Sequence, residues 1–414
     1  MSYPSSPLRS PVLSGRGSSV VDLETVQVVD LFSGCGGLSH GFASISTTRV
    51  QYVLKGALDM DKHANATYRR MLGVAPVLGD IREFATAEGA DRLRAAWHLT
   101  KDPLLLVGGP PCQGFSSHRK KDPRFDARNE LLDAFGRVAV HLRPEVVVME
   151  NVPEMLRDQH WPHFERWLAV MEAAGYDVRT RIHNLAEFGV PQERFRVLAI
   201  ARRDGVQVTM PPKSHDPNTF VTVRDAIGHL PPIDSGGWGT SDPMHITSRH
   251  RASTVDLIRM IPLDGGSRRS LPPGVGPECW NGVDGFRDVY GRLAWDKPSV
   301  AITARCRTPS CGRFVHPEQH RGLSVREAAL LQGFPETFQF EGPFDDKFKQ
   351  IGNAVAPIFS AAVAAHLDRT WRSHDLSPAG EEGFINGPLG KSFASSIAGI
   401  KRRGGRSELV TAAP

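Results

Sequence analysis

The chain has 414 residues, 40% of them apolar and 23% charged, with a formal net charge of +5; it can bury one large core or two modest ones and is no disordered polyelectrolyte. The basic balance suits a polyanionic partner without requiring one. Five cysteines, Cys35, Cys112, Cys279, Cys306 and Cys311, are an odd count spread thinly, which argues for reduced thiols in the cytoplasm, and no apolar run reaches the ~18 residues of a membrane span or forms a signal-peptide core.

Residues 1–24 carry Ser, Pro and Gly without a sustained period and are predicted to be a flexible arm. Short apolar runs follow at Val26 to Leu31, Tyr52 to Leu58, Leu104 to Val107, Val146 to Met149 and Val197 to Ala201, alternating with helix-like segments. Brief apolar runs bounded by turn residues read as buried parallel strands, and their alternation with helices predicts an α/β class chain, a doubly wound, mostly parallel sheet spanning residues 25–204. Past Arg202 the pattern dissolves into a stretch rich in Pro, Gly, His and Arg, too long for a loop. A second, smaller and irregular domain is therefore predicted over 205–340. Helical character returns at Ser324 to Gln332 and at Asn353 to Leu367, so 341–371 is read as a return to the first domain and 372–414 as a flexible tail with a basic cluster at Lys401, Arg402, Arg403 and Arg406.

Parallel sheets present ligands at the carboxyl ends of their strands, and the unusual residues of this chain fall there. The first run enters DLFSGCGGLSHGF, where Gly34, Gly36 and Gly37 open a turn into a helix; such a turn admits a ligand to the backbone but equally serves as a tight connection. The second ends in Asp59, Met60 and Asp61, at the separation where nucleotide-binding folds hold ribose hydroxyls. Asp80 of Gly79 to Ile81 is placed to hold an adenine amine, or is a solvated loop acid. GGPPCQGFS sets Cys112 behind Pro110 and Pro111 on a stiff turn, unlike the other cysteines, which read as inert. No metal spacing is present. Glu150 ends an apolar strand, where desolvation raises an acid's pKa and keeps it ready to share or donate a proton, and QERFR supplies Arg194 and Arg196 two residues apart, on one face if extended.

Together DLFSGCGG, GGPPCQGFS, the ENV triplet at Glu150, GVPQERFR, the block from Arg292 to Pro335 and IGNAV closely resemble the DNA cytosine-5 methyltransferase family, in the family's motif order from about Val28 to Leu367. The resemblance implies a class I S-adenosylmethionine-dependent methyltransferase fold with residues 205–340 recognising target DNA. It implies that Cys112 attacks carbon 6 of cytosine, that Glu150 pairs with ring nitrogen 3, and that Arg196, helped by Arg194, stands by the base carbonyl. Cofactor contacts would fall on Phe32, Ser33, Gly34 and Gly36, on Asp59 and Met60, on Asp80 and Ile81, on Gly109 and Pro110, and on Asn353 and Ala354. The expected partner is double-stranded DNA, flipped at the target base, with Ser117 to Lys121 as backbone contacts. A monomer is expected, acting alone or beside a cognate restriction endonuclease. Ala301, Leu330 and Ala356 depart from the family's usual residues and touch positioning rather than the catalytic set. Transfer RNA methylation and a silent DNA-binding role remain as alternatives; the former is disfavoured by the missing Cys-Phe-Thr signature, the latter by the intact catalytic set.

Overall fold

A computed structural model describes residues 23–111, 126–272, 274–280, 288–373 and 383–390. Cys112, the Ser117 to Lys121 segment, the first 22 residues, the cluster at Lys401 to Arg406 and the side chain of Cys279 lie outside the described residues. The first half of the chain runs β1 (Glu24–Leu31), α1 (Gly37–Ser44), β2 (Val50–Asp59), α2 (Lys62–Leu72), β3 (Val77–Leu78), α3 (Ala87–Ala96), β4 (Leu104–Gly108), α4 (Asp126–Leu142), β5 (Val146–Asn151), α5 (Trp161–Ala173), β6 (Asp177–Asn184), β7 (Gln192–Glu193) and β8 (Phe195–Arg202). After it come α6 (Val223–Ile227), α7 (Ala252–Arg259), β9 (Ser299–Val300), α8 (Val325–Leu331), α9 (Phe344–Asn353) and α10 (Pro357–Thr370).

Seven strands form one sheet in the order β3-β2-β1-β4-β5-β8-β6. β4 and β5 are buried along their whole length, because helices cover both faces and leave no side for polar residues. Alternate side chains divide accordingly. Val29, Leu31, Leu106, Val147 and Met149 share a core with α3, α4 and α5, whereas Val28, Leu105, Val107, Val146 and Val148 share another with α1 and α10.

Three expectations need correction. The Val197 to Ala201 run is β8, which pairs antiparallel with both β5 and β6 rather than parallel. Asn353 to Leu367 is not one helix: α9 ends at Asn353 and α10 starts at Pro357, since a proline lacks the N–H an interior turn needs but suits a helix start. The two helices and the joint between them, Phe344–Thr370, are long and apolar enough to cross a membrane by length and composition, yet they are broken at that joint and mostly buried against the sheet and the third core. Within the expected tail, residues 383–390 dock on the fold: Ile385 N–H donates to Thr180 O at 2.8 Å and Leu389 N–H to Leu156 O at 2.8 Å.

A third core gathers Val223, Ile227, Leu293, Ile302, Val325, Phe334, Phe338 and the α9 residues Phe348 and Ile351. With little regular structure, buried side-chain contacts hold it. The Arg292 guanidinium donates to the carbonyls of Ile258, Ile261, His316 and Gln319. Arg321 grips Glu327, which closes a capping box with Ser324 at the start of α8.

Candidate active site

The site opens where β1 runs into a left-handed turn. Phe32, Gly34 and Gly36 have φ of 59°, 52° and 89°, and a side chain on Gly36 would strike Leu72 at 2.6 Å and Tyr68 at 2.9 Å, so only glycine closes this turn. Gly36 N–H returns to Ser33 O at 2.9 Å, and α1 begins one residue later with its first amides unpaired within the helix. From the next strand, Asp59 accepts Gly34 N–H and Asp61 N–H, each at 2.8 Å. Its carboxylate is thereby fixed against the turn, although burial pushes its pKa up.

Asp80 accepts Arg82 N–H at 3.0 Å and is gripped by the Arg82 guanidinium at 2.5–3.1 Å, which holds its pKa down. Beyond β4, Pro110 O accepts the Asn151 side-chain amide at 3.0 Å while Asn151 Oδ1 takes Val152 N–H at 2.8 Å. Asn151 thus ties the two-proline approach to the end of β5, directly ahead of position 112. Glu150 is 7% exposed, and burial pushes its pKa up against the opposing pull of Arg196 and Arg194. Arg196 Nε lies 2.9 Å from Glu150 Oε1, an ionic contact whose angles do not make a hydrogen bond. Arg194 donates to Ile302 O at 2.6 Å and Gly352 O at 3.2 Å. Its guanidinium joins the third core to the sheet and adds positive potential at Glu150.

A cavity of about 830 Å³ brings these groups together. Of the described residues expected to act, Phe32, Ser33, Gly34, Asp59, Met60, Asp80 and Ile81 line it from the first three strand ends, and Gly109, Pro110, Glu150, Arg194, Arg196, Asn353 and Ala354 line it from the opposite side. Gly36 does not line it and serves the turn instead. Sequence reasoning passed over Asp30, Leu38, Asn151, Lys349 and Gln350, which also line the cavity. For Asp30 the signal was present, since it is an acid ending an apolar strand, as Glu150 is. Lys349 and Gln350 come from α9, and nothing local in the sequence turns them toward β1.

One reversed strand in an otherwise parallel seven-stranded sheet, a glycine turn after the first strand and a cavity across the strand ends define a class I methyltransferase. Within that class, the chain belongs to the C-5 cytosine-specific DNA methylase family, whose profile matches residues 26–369. It is 34% identical over 353 residues to the Type II methylase M.HgiDII of Herpetosiphon aurantiacus, covering 83% of this chain and 95% of that one. To the Type II methyltransferase M1.HphI of Haemophilus parahaemolyticus it is 35% identical over 338 residues, 81% of this chain and 85% of that one. Among solved structures, a protein described as a DNA modification methyltransferase from an E. coli prophage superposes with a TM-score of 0.64 at 24% identity, covering 84% of this chain and all of that one; this likeness speaks for the fold. The protein is therefore an enzyme that methylates carbon 5 of cytosine in DNA.

Proposed function

We propose that the enzyme acts on cytosine within a specific sequence of double-stranded DNA, with S-adenosylmethionine in the cavity and Cys112 as a covalent nucleophile. The observation that carries this reading is the convergence, on one cavity, of the glycine turn, the buried Glu150–Arg196 pair and the Pro110–Pro111 approach that leads straight into Cys112. The residues present fit the cofactor. Asp30 Oδ1 and Ser33 Oγ, on residues that line the cavity, are buried polar atoms without a hydrogen-bond partner among the described residues, and the Asp59 carboxylate suits ribose hydroxyls. Asp80, Ile81 and Met60 would hold the adenine end; Phe32, Ser33 and Gly34 the amino-acid end, with Gly109, Pro110, Asn353 and Ala354 opposite.

Carbon 5 of cytosine is a weak nucleophile. Addition of the Cys112 thiolate to carbon 6 forms an S–C bond and moves an electron pair toward carbon 5. Glu150, whose hold on a proton burial strengthens, gives a proton or a strong hydrogen bond to ring nitrogen 3 as charge builds there, and Arg196 steadies the carboxylate. Bound S-adenosylmethionine supplies an electrophilic methyl group for carbon 5. A base then takes the carbon 5 proton, the electrons return, and the S–C6 bond breaks to free Cys112. A free thiol has a pKa near ~8.5, so neighbouring positive charge helps it ionise.

The target base must leave the duplex, at a cost of a few kcal/mol offset by backbone contacts. Residues 205–340 would read the recognition sequence and Ser117 to Lys121 would hold the phosphates. The Type II names of the relatives support a modification enzyme acting beside a cognate endonuclease or alone, and it is read here as a cytoplasmic monomer. The test is DNA in which a mapped target cytosine is replaced by 5-fluorocytosine. Fluorine cannot leave as a proton, so wild-type enzyme with S-adenosylmethionine is expected to form an adduct that survives denaturation, and Cys112→Ser is expected to form none. A confirmed target that yields methylation on ordinary DNA but no adduct on the fluorinated one sinks the covalent scheme.

A further inference from the structure

Trp238 is 67% exposed and is the one aromatic among the large apolar side chains that the described residues leave in solvent. It does not sit on a loose loop. It faces Ile246 across an antiparallel bridge in a short hairpin, and Ile246 packs on the third core. Gly236 N–H donates to Thr247 Oγ1 at 2.9 Å and to Ser248 O at 3.0 Å, and Gly239 N–H donates to His245 O at 2.7 Å. The buried His245 ring is held in turn by the Ser324 hydroxyl and the Pro231 carbonyl. A rigid frame thus holds a large ring out in water, at a hydrophobic cost that folding alone does not explain. Arg249 lies across Gly236, where a Cβ would meet the arginine's own Cβ at 2.9 Å and its Nε at 3.1 Å. Among the described residues its guanidinium has neither ion pair nor hydrogen bond, and the same is true of Arg251 and Arg305. Of the hairpin's acids, Asp242 is taken by Arg326 at 2.6 Å, which leaves Asp234 at the base. Short steps join the hairpin to the cavity. His250 accepts Gly322 N–H at 3.1 Å, Gly322 abuts the Arg307 carbonyl, and the backbone of Thr303 and Ala304 abuts Gly352 of the cavity wall. The free guanidinium groups of Arg305 and Arg249 therefore lead from that wall toward Trp238.

We propose that Trp238 and Arg249 dock the substrate duplex beside the target base pair, the indole packing on sugar and base edges and the guanidinium meeting a backbone phosphate. This rests on the reading of residues 205–340 as the part that recognises DNA, and it names two residues that carry the contact. A polyanion is favoured over a second copy of the chain, because a symmetric contact would bring the same unpaired arginines against each other. It is favoured over another protein because the cations around the ring lack carboxylates and run on to the cavity where the DNA base reacts. The two side chains differ in kind. Neutralising a phosphate releases counterions and weakens as salt rises, whereas covering an aromatic ring releases none.

The experiment is fluorescence anisotropy of a labelled duplex carrying the mapped target site, and of one lacking it, with wild type and variants over a series of salt concentrations. Calorimetric binding of S-adenosylhomocysteine is the control. Trp238→Ala is expected to weaken target-duplex binding about tenfold at every salt concentration, the scale of one aromatic contact to nucleic acid, and Trp238→Phe to recover most of it. Arg249→Gln should weaken binding most at low salt and reduce the slope of log affinity against log salt by about 1. S-adenosylhomocysteine binding should hold in all three, since neither residue lines the cavity. Unchanged DNA affinity in Trp238→Ala and Arg249→Gln overturns the proposal, and a change in sedimentation in its place marks a contact between copies. A variant that loses both cofactor binding and thermal midpoint has failed to fold, and the other variant then decides. If wild type does not prefer the target duplex, the reading of residues 205–340 falls and takes this proposal with it.

Discussion

Glu150 and His183 show how one physical effect, burial of an ionisable side chain, has opposite consequences according to the sign of the charged form. At Glu150 burial raises the pKa and so favours the protonated form, against the pull of Arg196 and Arg194. At His183, 2% exposed and packed between the rings of Phe188 and Phe359 at 5.3 and 5.8 Å, burial pushes the pKa down to about 3, with Arg181, Lys213 and His366 pushing the same way. Neither ring nitrogen of His183 has a hydrogen-bond partner among the described residues. Because the folded pKa lies below the unfolded one, the unfolded chain binds the extra proton as pH falls. Stability is whole above the unfolded value near ~6.5 and is lost as pH drops toward the folded value. Each pH unit in that window is worth up to ~1.4 kcal/mol. His183→Leu removes the titration while keeping the site apolar. Between pH 7.5 and 5.0 the variant is expected to lose about 2 kcal/mol less than wild type in denaturant unfolding; parallel losses in the two proteins mean that another group governs the acid limb.

At the scale of elements, the shortest pieces of regular structure do the joining. β7 and β9 are two residues each and pair in parallel at Gln192–Ser299 and Glu193–Val300. The fully buried Gln192 side chain donates to Leu331 O and Gln332 Oε1, each at 2.8 Å, and accepts Ile302 N–H at 3.0 Å. Gln332 passes the link on to Ala354 O at 2.7 Å, beside the cavity. Gln192→Ala strands three buried polar groups, each costing ~1–3 kcal/mol when unsatisfied. A fall in the thermal midpoint of several degrees is expected, together with a loss of kcat/KM, since Arg194 two residues on positions the Glu150 environment. An unchanged midpoint would show that the joint is not needed. The sequence motifs located Gln192 and Arg194, but their roles as joints were not legible, because their partners lie more than a hundred residues away. Two-residue strands are too short to show a period. β6 was missed for another reason: as an edge strand it carries DVRTRIHN, whose charges protect the edge and hide the apolar alternation.

For the whole molecule, strand ends, the glycine turn and the buried acid were readable because they depend on local composition, and the family motifs supplied their order. What local reading could not supply was long-range packing: the reversal of β8, the pairing of α9 with the third core, and the docking of residues 383–390. That last segment has too few apolar residues to announce itself, yet it finishes the sheet. β6 is the outermost strand, and Ile385 and Leu389 join the core that holds α4 and α5 while Phe384 packs on the other face. Leu389, 8% exposed, also bridges to Arg157 in parallel fashion, beside the one-turn helix Pro153–Leu156 that follows Glu150 and Asn151. The segment therefore braces the far side of the strand end that carries the acid. Leu389→Ala is expected to cost about 2 kcal/mol or slightly more, the low end for a buried leucine because some of the site is open to solvent. The Ile385 and Leu389 amides, which donate to the Thr180 and Leu156 carbonyls, should also exchange their hydrogens faster in the variant. If unfolding free energy is unchanged within about 0.5 kcal/mol, the range of surface substitutions, the segment rests on the fold without supporting it.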